Sequence, residues 1–193
     1  MKHSNACIVD KLFVEKSIPE DAFRLAPKLK PLDRYEVAAM GIDPLSALLI
    51  PFRVNRPNTH TFTIFEKESN EIVAMWGAVP LNKRNPNVAS IWFLSSYLLD
   101  KHQRFFLQRN IKWLSYLESH YTFVYNFIVE EHKKSIRWLK WQNFSFAQKP
   151  TLVNGVKMYY FYKQLPKTKV TVQPILREVG PIWTTELTSD GQL

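Results

Sequence analysis

Three small groups of side chains in this sequence could carry chemistry. Glu130, Glu131 and His132 stand together after an apolar run and could form an acid/base cluster. The simpler reading is an acidic first turn of a helix ahead of Lys133 and Lys134, which the helix dipole alone explains. Ser95, Ser96 and Tyr97 offer hydroxyls, but no G-x-S-x-G elbow and no plausible base-orienting carboxylate accompanies them. They read as strand-end residues. His3, His60, His102 and His120 are scattered without metal-ligand spacing, so no metal site is expected. Trp138 and Trp141 beside Lys133, Lys134, Arg137 and Lys140 could stack on bases. Aromatic residues at helical spacing more often serve a protein interface or a core, and tryptophan and arginine are enriched at protein contacts. The order of expectation is interface, core, nucleic acid.

These groups hang on elements that the pattern specifies. ASIWFLSSYLL reads as a strand, and the next segment repeats apolar residues at Phe106, Leu107, Ile111, Trp113, Leu114 and Leu117. That spacing predicts a helix with one buried face. Arg104, Gln108, Arg109, Lys112 and Ser115 fall on its wet side, and Asp100 is its expected N-cap. YTFVYNFIV is β-branched, aromatic and short, so a buried strand is expected, and HKKSIRWLKWQNF returns to helical spacing through Ile136 and Leu139. Strand, crossover helix and strand imply a parallel, right-handed unit.

Upstream, CIVDKLFVEK reads as a strand, and Ser17, Pro19 and Glu20 announce a helix. A helix through Val37 and Met40 is expected to end at Gly41, with another helical piece after Pro44. THTFTIFEKESNEIVAMWGAVPL should be a hairpin with its turn in EKESNE. NFSFAQKP and VKMYYFYKQ predict two further strands joined by a loop holding Asn154 and Gly155. The fold class expected is α/β (α+β), a mixed central sheet flanked by helices, over residues 1–163. Residues 164–193 carry three prolines without sustained period and read as an extended arm. Ile175, Leu176, Val179, Ile182, Trp183 and Leu187 are too apolar for a solvated tail. The arm packs on its own domain or docks on a neighbour, through Ile182, Trp183 and Leu187.

Composition narrows the class. The chain has 193 residues, 46% of them hydrophobic, which suits one globular core. Its net charge of +9 favours polyanions or acidic protein partners, or marks a solvated basic face. Cys7 stands alone, so neither an intramolecular disulfide nor a cysteine zinc cluster can form within the chain. No run reaches the ~20 apolar residues of a membrane span, and MKHSNACIVDK has no apolar signal core. A soluble, unexported protein is expected.

The element order resembles the GNAT N-acetyltransferase fold, whose helix after the fourth strand begins at a Q/R-x-x-G-x-G/A loop. In that family the loop's main-chain amides hold the pyrophosphate of acetyl-CoA, which demands glycine for close approach. Here the stretch is LSSYLLDKHQRFF, with bulk in place of glycine and an acid at Asp100. The family's N-x-x-A-I-x-x-Y-x-x-x-G-F signature lays over residues 132–144, placing His132 at the asparagine, Leu139 at the general-acid tyrosine and Asn143 at the glycine. Ile136 and Phe144 persist. Packing positions survive and chemical positions do not, so the resemblance implies the scaffold without catalytic residues or a cofactor.

Residues 33–146 also resemble the GNAT-like internal virion proteins of short-tailed phages, through DRYEVAAMGIDPLSAL, IVAMWGAVP, SIWFLSSYLL and SIRWLKWQNF. That resemblance implies a non-catalytic virion component, made in the host cytoplasm and present in several copies with portal, core or tail proteins and possible contact with packaged DNA. Arg104, Arg109, Lys112, Lys133, Lys134, Arg137 and Lys140 are then the expected contacts to acidic partners or DNA. Two alternatives stay open: an acyltransferase with a divergent cofactor loop, and a basic DNA-binding module.

Overall fold

A computed structural model describes residues 11–165; residues 166–193 of the expected arm, with its anchors Ile182, Trp183 and Leu187, and Cys7 lie outside the described residues. Among the described residues eight strands, numbered in chain order with the ranges given next, form one sheet in the order β1-β2-β3-β4-β5-β8-β6, with β7 pairing β8. The first is β1 (Leu12–Lys16), followed by α1 (Pro19–Leu25), α2 (Pro31–Ala39) and α3 (Pro44–Arg53). β2 (His60–Glu66) and β3 (Ile72–Pro80) make the expected hairpin, and β4 (Val88–Ser95) joins β3 antiparallel. Then come α4 (Leu98–Lys101), α5 (Gln103–Glu118), β5 (Phe123–Val129), α6 (Lys133–Trp141), β6 (Ser145–Phe146), β7 (Thr151–Val153) and β8 (Val156–Gln164). Among the described residues no single helix is long and apolar enough to cross a membrane.

Every residue of β3 and β5 is buried, as strands covered on both faces require. One apolar cluster takes in α1, α2 and α3 on one face of the sheet, through Leu25, Val37 and Leu48. The other lies under α5 and α6, through Phe106, Leu114, Leu117 and Leu139. β4 and β5 pair in parallel as the crossover helix implied, but only at Val88–Phe123, Ala89–Val124 and Ser90–Tyr125. Beyond Ser90 the two strands part, and Asn126 Nδ2 bridges to the carbonyl of Ile91 at 2.6 Å. That opening is the feature on which the site depends.

Several local expectations shift. Asp100 does not cap α5: it sits inside α4 and its carboxylate accepts from Lys30 Nζ at 2.7 Å. His102 takes the cap position of α5 without a side-chain cap bond, because its Nε2 is spent on Glu66 Oε1 at 2.7 Å. Ile111, expected on the buried stripe of α5, is 47% exposed, and Asn110 is buried one residue earlier. Ser17 turns to Thr63 Oγ1 at 2.7 Å, while Asp21 accepts from the amide of Ile18 at 3.2 Å and so serves the N-terminus of α1. The last hairpin is β7–β8, turned on Asn154 (φ 48°) and Gly155 (φ 81°), while the NFSFAQKP segment supplies only the two residues of β6. This is the Asn-Gly pattern that two-residue turns need for positive φ.

One glycine is required by packing. A Cβ on Gly77 would lie 2.1 Å from the carbonyl oxygen of His60 on the neighbouring strand. Gly77→Ala must push apart β2 and β3 in the middle of the sheet, and the expected loss is about 1–3 kcal/mol or more. Urea unfolding measures it, and an unchanged midpoint would contradict this close approach.

Candidate functional site

Pro31 starts α2 with its fixed φ, and Asp33 and Glu36, one turn apart, then fall on the same side of that helix. Both reach the place where β4 and β5 separate. The Asp33 carboxylate accepts from the Ser95 amide at 2.7 Å and the Ser95 hydroxyl at 2.9 Å through Oδ2, while Oδ1 meets His132 Nε2 at 3.1 Å. Glu36 Oε2 accepts from the Val129 amide at 3.1 Å. Two acids on one helix therefore tie the end of β4 to the end of β5 across the opening.

The electrostatics follow from that crowding. Burial pushes the Glu36 carboxyl up to about 7, against the opposing pull of His132 and the Val129 amide. Burial also works against a charge on His132, but its hydrogen bond to Asp33 and the nearby Glu36 and Asp33 charges outweigh it and hold the imidazole above its ordinary value. The site thus holds a proton-exchanging acid and an imidazole whose charged form is favoured.

Behind these groups a cleft of about 240 Å³ runs through the parting of β4 and β5 and beneath α5 and α6. Its walls are mostly apolar, with Trp92 and Phe93 from β4, Phe106 and Leu114 from α5, and Trp138 and Leu139 from α6. Leu99 and Asp100 of α4 and Gln103 of α5 also line it. There Lys101 Nζ and His102 Nε2 both meet Glu66 Oε1, at 2.6 and 2.7 Å, and the Lys101, Ser69 and His102 hydrogen bonds hold the Glu66 carboxyl down at about 2. This turn is thereby fixed to the β2–β3 hairpin and, through Asp100 and Lys30, to the residue that precedes α2.

The sequence-predicted groups are redistributed. Glu130, Glu131 and His132 do not act together: the acidic pair precedes the N-cap of α6 and does not form its first turn. Glu130 Oε1 accepts from the Tyr159 hydroxyl at 3.3 Å, Glu131 is exposed, and His132 turns inward. Ser95 is indeed the last residue of β4, yet a carboxylate does accompany it, supplied by Asp33 from 62 residues away. Asp33 binds that hydroxyl directly with no imidazole between them, so the arrangement is a strut and lacks the base of a nucleophile site. Sequence reading passed over Asp33 and Glu36. Their signal was two acids at i and i+3 bordering the apolar positions of α2.

Among the described residues no group of three or more histidine, cysteine, aspartate or glutamate side chains could hold a metal ion. The His60 and His120 rings instead lie 4.4 Å apart inside an aromatic group with Tyr116 and Tyr121. Trp138 is half-buried and packs 6.1 Å from Phe106, whereas Trp141 is 58% exposed. Arg104 and Lys112 on α5 and Lys133, Lys134 and Arg137 on α6 are exposed. Arg109 is half-buried with its guanidinium 5.5 Å over the Phe105 ring, and Lys140 Nζ lies 5.6 Å over the Phe146 ring. All seven cations stand on the two helices that cover the same face of the sheet.

No family model matches the sequence, and no curated protein does. Solved structures match in fold. A GCN5-related N-acetyltransferase from Kribbella flavida is 14% identical, with a TM-score of 0.59 over 81% of this chain and 99% of that one. An acetyltransferase from Thermus thermophilus is 17% identical, with a TM-score of 0.55 over 80% and 97%. Spermidine N-acetyltransferase from Vibrio cholerae, solved with CoA and spermine, is 13% identical, with a TM-score of 0.56 over 81% and 96%. The fold is GNAT-like: a mixed α/β architecture with a largely antiparallel eight-stranded sheet flanked by helices.

Proposed function

We propose that this chain is a non-catalytic binding protein on an acetyltransferase-like body, serving as a structural component of a short-tailed phage particle. The turn of α4 just ahead of α5 is the observation that carries the non-catalytic part. A cofactor pyrophosphate needs main-chain amides it can approach closely. Here the approach is a helical turn of Leu98, Leu99, Asp100 and Lys101, with the Asp100 side chain 62% exposed and Lys101 already held by Glu66. A phosphate there would meet bulk and a carboxylate. Leu139, standing where the acetyltransferase signature has tyrosine, is buried and has no proton to give a leaving thiolate. The particle role is supported by the resemblance over residues 33–146. The basic face of α5 and α6 suits acidic portal or core surfaces, or packaged DNA, by charge.

Titration calorimetry with acetyl-CoA tests the first part. No binding is expected up to millimolar cofactor, and micromolar binding would overturn the reading. Quantitative mass spectrometry of purified particles tests the second part, since a structural component must be present at stoichiometric copy number and absence refutes the role. If DNA is the partner, affinity must fall steeply with salt as counterions are released.

One observation favours acyl transfer as a second reading. Glu36 sits beside the cleft with its carboxyl at about 7, which suits a general base at neutral pH. The same acetyl-CoA titration separates the two.

A further inference from the structure

We infer that the outer face of α5 and α6 is a binding surface for single-stranded nucleic acid, with Trp141 as its base-stacking platform. Charge on this molecule is one-sided. α5 and α6 carry seven cations against one acid, Glu118, whereas α1, α2 and α3 on the opposite face of the sheet carry three cations against four acids. Glu118 is already taken by Lys163 Nζ at 2.6 Å. Arg104, Lys112, Lys133, Lys134 and Arg137 are exposed and make no side-chain hydrogen bond or ion pair among the described residues. On the opposite face, Arg24 and Arg34 instead donate to the carbonyls of Asn70 and Ala26, at 2.6 and 2.8 Å. The two basic helices make one surface. The Phe106 and Trp138 rings stand 6.1 Å apart and Asn110 meets Gln142 at 3.4 Å, so α5 and α6 lie side by side and run the same way.

Lys134, Arg137 and Trp141 fall at i, i+3 and i+7 and so form one exposed stripe of α6. Trp141 is 58% exposed, while Trp138 is packed against Phe106. A large ring left in water among cations suits an unpaired base, on which it stacks while the cations follow the phosphates. A duplex keeps its base faces inside the stack and gives that ring no counterpart. An acidic protein fits less well, because lysine is depleted at protein interfaces and three of the five open cations are Lys112, Lys133 and Lys134. A second copy of this chain would set like charges against each other. The residues outside 11–165 bring no neutralising charge, since side chains 1–10 hold one cation and one acid and side chains 166–193 hold three of each. The inference rests on the basic face of the reading above, and on neither its particle role nor its lack of catalysis.

Fluorescence anisotropy of labelled oligonucleotides titrated with the full chain at pH 7 tests the assignment. An oligothymidylate of about 20 nucleotides is expected to bind, and log affinity should fall against log salt with a slope of about −2 to −3.5 as about three to five phosphates are neutralised. Trp141→Ala should weaken the single strand at least about fivefold and leave a duplex of the same length unchanged, and Trp141→Phe should restore most of the loss. Trp141 is a surface residue, so neither change threatens the fold. Lys134→Gln combined with Arg137→Gln should flatten the salt slope by about 1.4. No binding at about 50 mM salt would overturn the surface. A duplex bound more tightly than the single strand, with Trp141→Ala affecting neither, would overturn the single-strand assignment. Polyglutamate that displaces the oligonucleotide at equal charge concentration would overturn nucleic acid in favour of an acidic protein. Strand binding by a chain missing from purified particles would refute the particle role, and strand binding together with acetyl-CoA binding would refute the non-catalytic one; both leave this inference standing.

Discussion

Asp33→Ala is expected to lower folding stability by about 3–5 kcal/mol, the cost of removing one partner from a buried charged network. Three donors depend on that carboxylate: the Ser95 amide, the Ser95 hydroxyl and His132 Nε2. Asp33 is only 5% exposed, so water does not replace the lost acceptor. A backbone amide at the end of β4 is stranded together with an imidazole whose charge the carboxylate supports. Ser95→Ala is the matched control. It removes only the hydroxyl bond, keeps the amide bond, and should cost about 1 kcal/mol. Urea unfolding at pH 6 measures both variants. An Asp33→Ala loss no larger than that of Ser95→Ala would show that the strut between α2 and β4 contributes little.

Glu36 makes the chain less stable as pH rises. In the unfolded chain its carboxyl titrates near 4.5, whereas in the fold burial raises it to about 7. Below 4.5 both states are protonated and nothing is lost. Between 4.5 and about 7 the unfolded chain gives up the proton while the folded chain keeps it, so stability declines progressively, and above that range the decline is complete. The interval corresponds to roughly 3 kcal/mol. His132 acts in the same direction, because a raised imidazole stabilises the fold below its unfolded value of 6.5 and that contribution disappears as pH climbs through the folded one. The parent should therefore weaken steadily from pH 5 to pH 8. Glu36→Gln abolishes the carboxyl titration and keeps an oxygen for the Val129 amide. It should match the parent at pH 5 and exceed it by about 2–3 kcal/mol at pH 8. A parent whose midpoint stays level across that range would refute the raised carboxyl.

Periodicity exposed most of the elements and little of the site. The hairpin of β2 and β3, the crossover through α5 and the strand β5 were visible because one period repeats over several turns or pleats. Asn143 shows what letters alone conceal. It replaces the glycine of the acetyltransferase signature, yet it adopts φ 62°, a left-handed conformation that asparagine tolerates better than other residues with a Cβ. The backbone need survived a change of residue. Asn110 shows the reverse, a polar residue buried where the apolar stripe predicted Ile111, with its Oδ1 accepting from Gln142 Nε2 at 3.4 Å. A local pattern cannot anticipate a partner 32 residues away.

By itself the sequence determined the order of the longer helices and strands, the single cysteine, the positive charge and the absence of glycine ahead of α5, since each is a property of neighbouring residues or of a count. Only the tertiary structure decided that β4 and β5 separate after Ser90 and that α2 spans the gap with Asp33 and Glu36. Those facts arise from contacts between segments separated by up to 99 residues, as Asp33 and His132 are. Burial in that assembled environment raises the Glu36 carboxyl, whereas the hydrogen bond to Asp33 and the neighbouring carboxyl charges raise His132 against burial.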